Sequence, residues 1–331
     1  VSQLAMTFWQ RNTCVNFVQS ATAPNKIRFF QGQGCYSYVG KLGRATQDLS
    51  LGRGCETFGT AAHEIGHALG FFHEQSRVDR DTAITVQIGN VVPNFVDQYD
   101  KQSAATNFNY GLPYDYGSIM HYGATSPHRS LSRSLSLPPL SLSPSLFLSF
   151  ACSASRNGAP TMVARMPQYQ DTMGSAIVSF IDVSMMNDHY GCKARCAGSG
   201  TVCQNGGFPH PRDCSKCLCP AGYGGDTCTQ RVRGFGEKSA REKYRKLKII
   251  KAPAGRRIRA TISSYTNNVC RDGCSYGGVE LKWQANPQQT GSRYCCSTDV
   301  GQSVISDGNI LPIIGFNRLR TERFSVQYVL V

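Results

Sequence analysis

Between positions 63 and 73 the chain reads His63-Glu64-Ile65-Gly66-His67-Ala68-Leu69-Gly70-Phe71-Phe72-His73, and little else in it restricts the fold as tightly. Two histidines four residues apart on a helix lie about 40° apart around its axis, so their imidazoles can converge on one ion. Glu64 then projects beside that ion, placed to take a proton from metal-bound water and pass it to a leaving amine. Gly70 can adopt the left-handed conformation that ends a helix and returns His73 as a third ligand. Three imidazoles with one open position suit zinc. A chain of this length matches five such fixed positions by chance about once in 10^5 trials. Solvent-facing histidines on an amphipathic helix explain none of this, and a structural zinc site leaves Glu64 without a role.

Fifteen cysteines in 331 residues, grouped rather than scattered, point to an oxidising, extracellular compartment, with one thiol left over. No apolar run reaches the about 18–20 residues that cross a membrane. The chain opens at Val1 with neither methionine nor a charged-then-apolar leader, so it is expected to be processed or incomplete. The net charge is +14, and +10 of it sits in residues 231–259, where twelve Lys and Arg face two Glu. A solvated linker and strand face accounts for that stretch more simply than contact with sulfated glycans or another acidic matrix partner. Nucleic acid does not fit the compartment.

Residues 1–125 read as mixed α/β, with a strand at Lys26–Phe30 and a helical pattern from Thr57 to Phe71. At 127–153 the texture changes: sixteen of 27 residues are Ser or Leu, broken by Pro138, Pro139 and Pro144, and no fold is assigned. Seven cysteines among Gly and Pro at 192–228 require disulfides in place of a core. Residues 258–331 alternate Val, Ile, Thr and Tyr between turn signals and read as β-sheet.

The zinc motif followed by Glu74 resembles the astacin branch of the metzincin proteases. So do Gln33–Gly40, Ser50–Cys55, Glu74–Asp81 and Tyr116-Gly117-Ser118-Ile119-Met120-His121-Tyr122. The resemblance covers residues 1–126 and 154–192. It implies an α+β catalytic domain with a five-stranded mixed sheet and a zinc-binding helix. In it Met120 is an apolar floor under the metal, and Tyr122 is a further ligand that swings away to stabilise the transition state. It also implies disulfides Cys14–Cys192 and Cys35–Cys55, each contributing about 3 kcal/mol or more. Cys196, Cys203, Cys214, Cys217, Cys219 and Cys228 resemble an EGF-like module, which would pair Cys196–Cys214, Cys203–Cys217 and Cys219–Cys228. Residues 238–331, with Gly278–Trp283 and cysteines 270, 274, 295 and 296, are similar to an all-β CUB sandwich whose pairing is left open. The domains are therefore expected at 1–192, 193–229 and 238–331.

Two departures from the family stand out. In mature members the freed amino terminus meets the glutamate aligned with Glu74; Val1 is not expected to reach it, which leaves Glu74 a buried carboxylate short of a partner. The tract at 127–153 falls beside the primed side of the cleft, and its composition favours an unspliced intron or assembly error over a designed loop, with Cys152 as the odd cysteine. The expected protein is a secreted zinc endopeptidase acting on extracellular or matrix proteins. Its rival is a secreted binding protein whose protease fold no longer turns over.

Overall fold

A computed structural model describes residues 1–124, 155–230, 247–266, 269–318 and 322–331, and the backbone of 146–148, 231 and 244–246. Cys152 and most of the 127–153 tract lie outside the described residues, as does the segment 232–243 of the basic stretch.

The first half is built on two helices and a small sheet. Helix α1 (Ser2–Asn12) buries Ala5 and Trp9, and the Trp9 indole donates to Ala62 O at 3.1 Å. Strands β1 (Lys26–Phe30), β2 (Cys35–Tyr38) and β3 (Thr46–Leu51) pair with β1 parallel and β2 antiparallel to β3. Helix α2 (Phe58–Ala68) packs on β2 and β3. Its Thr57 cap accepts from Thr60 N at 3.1 Å. The helix stops at Ala68, short of the expected Phe71, because Gly70 turns at φ +113° and its N–H closes on His67 O at 2.8 Å.

After β4 (Ile84–Val86) comes β5 (Leu146–Leu148), whose backbone adds to the free edge of β2. This sheet thus has four strands among the described residues, in the order β1-β3-β2-β5, where five were expected. The reason is a division of strands: β4 pairs with β6 (Met162–Ala164) in a separate two-stranded ladder. The backbone of β5 lies within the 127–153 tract, to which the sequence assigns no fold. Helix α3 (Phe180–His189) starts in a capping box between Ser179 and Asp182 and buries Val183 and Met186 in the core that α2 shares. A second core, with Tyr99, Tyr114, Tyr116, Met162, Tyr169 and Met173, supports the segment that follows His73.

Beyond Cys192 lie two small ladders, β7 (Phe208–His210) with β8 (Asp213–Leu218) and β9 (Tyr223–Gly224) with β10 (Gln230–Arg231). The remaining strands form two antiparallel sheets. One comprises β11 (Tyr244–Lys251), β13 (Gly277–Leu281), β14 (Ser292–Tyr294) and β16 (Ile310–Asn317); the other comprises β12 (Ile258–Thr266), β15 (Ser303–Ile305) and β17 (Arg323–Leu330). They face each other across one core, with Val279, Leu281 and Leu311 from the first sheet meeting Ile258, Ala260 and Ile262 from the second. The alternation along β12, with Arg259 exposed between buried neighbours, is the period-2 signature of such a strand.

This two-sheet unit sits directly on the first half. Arg293, paired with Glu280 at 3.1 Å, donates to Ser175 Oγ at 2.7 Å, and its backbone N–H reaches Thr172 Oγ1 at 2.9 Å. Gly273 and Gly174 approach so closely that a Cβ on Gly273 would collide with the Gly174 carbonyl.

Candidate metal centre and active site

Helix α2 presents His63 and His67 one turn apart, with ring centroids 4.6 Å apart, and the Gly70 turn brings His73 back onto them. The three imidazoles meet at Nε2: His73 Nε2 is 3.3 Å from that of His63 and 3.1 Å from that of His67. Tetrahedral zinc with Zn–N bonds of about 2.0–2.1 Å separates its ligand atoms by roughly 3.3–3.4 Å, so the spacing suits the ion. His63 Nδ1 lies 2.7 Å from Ile119 O and His67 Nδ1 2.7 Å from Phe71 O. A carbonyl only accepts, so each Nδ1 carries the proton and each Nε2 keeps its lone pair for the metal. Burial lowers the basicity of all three rings, that of His63 to about 4, and keeps them neutral at neutral pH.

Glu64 is fully buried beside His63. The ring of partly buried Tyr122 lies tilted against that of His73, centroids 4.3 Å apart, and its N–H donates to Gln75 Oε1 at 3.1 Å. Burial first, and the neighbouring Glu64 carboxylate next, push the Tyr122 hydroxyl well above its usual range, so it stays a neutral donor. Met120 is buried against α2 at Gly66, which leaves room for it: a Cβ there would stand 3.0 Å from Met120 Sδ.

Glu74 is not short of partners. Its Oε1 accepts from Asp115 N at 2.8 Å and lies 3.3 Å from Arg77 Nη1. The correction has a local cause: the turn Glu74–Ser76 swings Arg77 back, and Arg77 also forks onto Asp79 and donates to Leu112 O and Pro113 O. Burial still raises the Glu74 carboxyl to about 8 against the pull of Arg77.

Sequence reasoning gave no role to Asp182. Its carboxylate accepts from Ser118 Oγ at 2.6 Å, Ile119 N at 2.9 Å and Ser179 N at 2.7 Å, which ties α3 to the turn before Met120. Burial raises it to about 6. No local pattern marks it, since Asp182 and Ser118 stand 64 residues apart.

Among the described residues seven disulfides are formed. Five join Cys14–Cys192, Cys35–Cys55, Cys196–Cys214, Cys203–Cys217 and Cys219–Cys228; two more, left open above, join Cys270–Cys296 and Cys274–Cys295. Asp171 and Asp299 bring oxygens close to the Cys296 sulfur, but that sulfur is bonded to Cys270 and offers no thiolate to a metal.

The profile of the astacin peptidase family matches residues 1–136. Zinc metalloproteinase nas-31 of Caenorhabditis elegans is 47% identical over 98% of this chain and 52% of its own length. Zinc metalloproteinase nas-32 of the same nematode is 36% identical over 98% and 49%. Zinc metalloproteinase nas-17, also from that nematode, is 33% identical over 98% and 72%. The chain spans about half the length of the first curated relatives it matches. A solved structure, the medaka hatching enzyme zinc-protease high choriolytic enzyme 1, is 30% identical and covers 57% of this chain and 80% of its own, at a TM-score of 0.46 too low to bear on the fold.

Proposed function

Because the chain belongs to the astacin family of zinc metalloendopeptidases, we propose that it is secreted and hydrolyses peptide bonds in extracellular or matrix proteins. The observation that carries the proposal is the meeting of three neutral imidazole Nε2 atoms beside a buried carboxylate. Zinc, the cofactor, supplies Lewis acidity and lowers the pKa of water it binds. His63, His67 and His73 would hold it, with Tyr122 as a further ligand. Glu64 takes the proton of the attacking water and delivers it to the leaving amine. Tyr122, released toward the substrate, donates to the oxygen on which charge develops. Met120 is the apolar support beneath, and Glu74 steadies the segment that carries His73.

In this reading residues 1–192 are the catalytic domain, 193–229 an EGF-like module and 238–331 a CUB-like module. Three disulfides of short span in the middle segment, and two antiparallel sheets around one core in the last, support the assignment. Seven disulfides suit an oxidising compartment, and among the described residues no helix is long and apolar enough to cross a membrane. For the stretch 231–259 a solvated linker and strand face remains the simpler reading; contact with sulfated glycans of the matrix is the alternative, which the exposure of Lys248, Lys251, Arg256, Arg257 and Arg259 supports.

The test is gelatin hydrolysis by the chain and by Glu64→Ala, with and without a chelator. The wild-type chain is expected to cut until the chelator is added. The variant is expected to keep zinc and lose about 10²–10⁴-fold in rate. A chain that binds no zinc, or a variant that cuts normally, refutes the proposal. If both bind zinc and neither cuts, the protein is a binding module on a protease fold.

A further inference from the structure

The two-sheet unit reaches toward the zinc site at Thr290. In the loop before β14, Thr290 donates twice to the carboxylate of Asp115, from N to Oδ1 at 3.2 Å and from Oγ1 to Oδ2 at 3.0 Å. Asp115 turns its own N–H onto Glu74 Oε1 at 2.8 Å, and Glu74, next to His73, gives its N–H to Met120 O at 3.0 Å. Asp115 Oδ1 also accepts from Gly117 N at 3.3 Å, and Asp115 O from Ser118 N at 3.0 Å, which shapes the turn into Met120. Asp115, Glu74 and Thr290 are all buried. Thr290 fits because position 117 is glycine; any Cβ there would run into the threonine side chain.

We infer that Thr290 is a positioning residue of the zinc site, acting through Asp115 on Glu74 and so on His73. The inference rests on the zinc-protease reading above. A buried carboxylate holds one orientation only while its acceptors are filled. Thr290 donates to both oxygens from a rigid base, because Gly291 N donates to Glu280 Oε1 at 3.0 Å and Glu280 is locked to Arg293. Without the Thr290 hydroxyl, Asp115 Oδ2 loses a donor and the carboxylate turns. The 115–118 segment then relaxes beneath Glu74 and Met120. The C-terminal unit is therefore part of the catalytic apparatus rather than a tethered accessory.

Thr290→Val keeps the shape and deletes the donor, and Thr290→Ser restores it. Zinc loss to a chelator and hydrolysis of a short peptide are measured in the full chain for the wild type, both variants and Trp283→Phe, which alters the same interface where the indole meets the Tyr169 ring and donates to Ser292 Oγ, and so takes no donor from Asp115. T290V is expected to lose zinc about tenfold faster and to fall about tenfold in kcat at unchanged KM, the scale of outer-shell changes at metal sites. T290S is expected to behave as wild type, and W283F to lower Tm without altering zinc loss. If T290V does not fold, Thr290→Ala carries the same expectation. T290V matching a wild type that binds and cuts overturns the inference alone, as does W283F changing zinc loss equally. A wild type that holds no zinc overturns the proposed function and this inference together.

Discussion

Gly66 faces two opposed energies, and their difference measures how firmly Met120 supports the zinc helix. In the interior of α2, Gly→Ala gains about 1 kcal/mol from helix propensity. The new Cβ would stand 3.0 Å from Met120 Sδ, and 3.7 Å from both Met120 Cε and Phe71 Cδ2. The last two distances are ordinary contacts; the first requires sulfur or helix to yield by a few tenths of an ångström. Overpacking of this size costs about 1–3 kcal/mol, and thioether flexibility keeps it toward the lower end. Gly66→Ala is thus expected to be neutral to about 2 kcal/mol destabilising, and to weaken zinc binding because His67 is the next residue. In a Met120→Ala background, itself costing about 2–5 kcal/mol, the obstacle is gone and the same substitution is expected to stabilise by about 1 kcal/mol. Denaturant unfolding of the four proteins closes the cycle. Equal stabilisation in both backgrounds would refute the packing of Met120 against α2.

Three further outcomes follow from the same contacts. Replacing Cys14 and Cys192 by serine should cost about 3–5 kcal/mol in unfolding experiments under non-reducing conditions, because that bridge spans 178 residues. Arg77→Lys cannot reproduce the fork onto Asp79 while reaching Glu74 and two carbonyls, and should lose about 3 kcal/mol by denaturant titration. Asp171 is pushed up to about 7, by burial first and by the Asp299 carboxylate next. A carboxyl raised on folding contributes stability below its unfolded pKa, about 3.9, and loses it as pH rises through 7. Asp171→Asn should therefore flatten the melting temperature between pH 4 and 7, and an unchanged slope would contradict this.

The parts of the site legible in the sequence are those whose geometry is local. The i, i+4 histidines, the glutamate between them and the glycine that ends the helix follow from the pitch of one helix, and the structure brings those side chains together. Asp182, Asp115 and Thr290 escaped notice because their partners come from distant chain, 64 and 175 residues away, and such bonds leave no periodicity. Glu74 was misjudged for the opposite reason: its partner Arg77 stood in the quoted motif, but only the turn at Glu74–Ser76 shows the two side chains meeting. The fold was similarly uneven. Alternation marked the late β-sheet, yet the division of the early strands into four and two depends on which edge each strand joins, and side-chain pattern does not encode that.

The clasp between Cys14 and Cys192 also sets an order for the birth of the molecule. At about 5–20 residues per second of synthesis, Cys14 waits roughly 10–40 s for its partner to follow 178 residues later. During that interval Cys35, Cys55 and Cys152 all emerge as competing thiols. Cys35 and Cys55 can close on each other after only 20 residues, which removes them early from that competition. Yield of the correctly joined protein then depends on exchange chemistry in the compartment where it is made, and a host with poor disulfide isomerase supply would accumulate chains whose first helix is bound to the wrong cysteine.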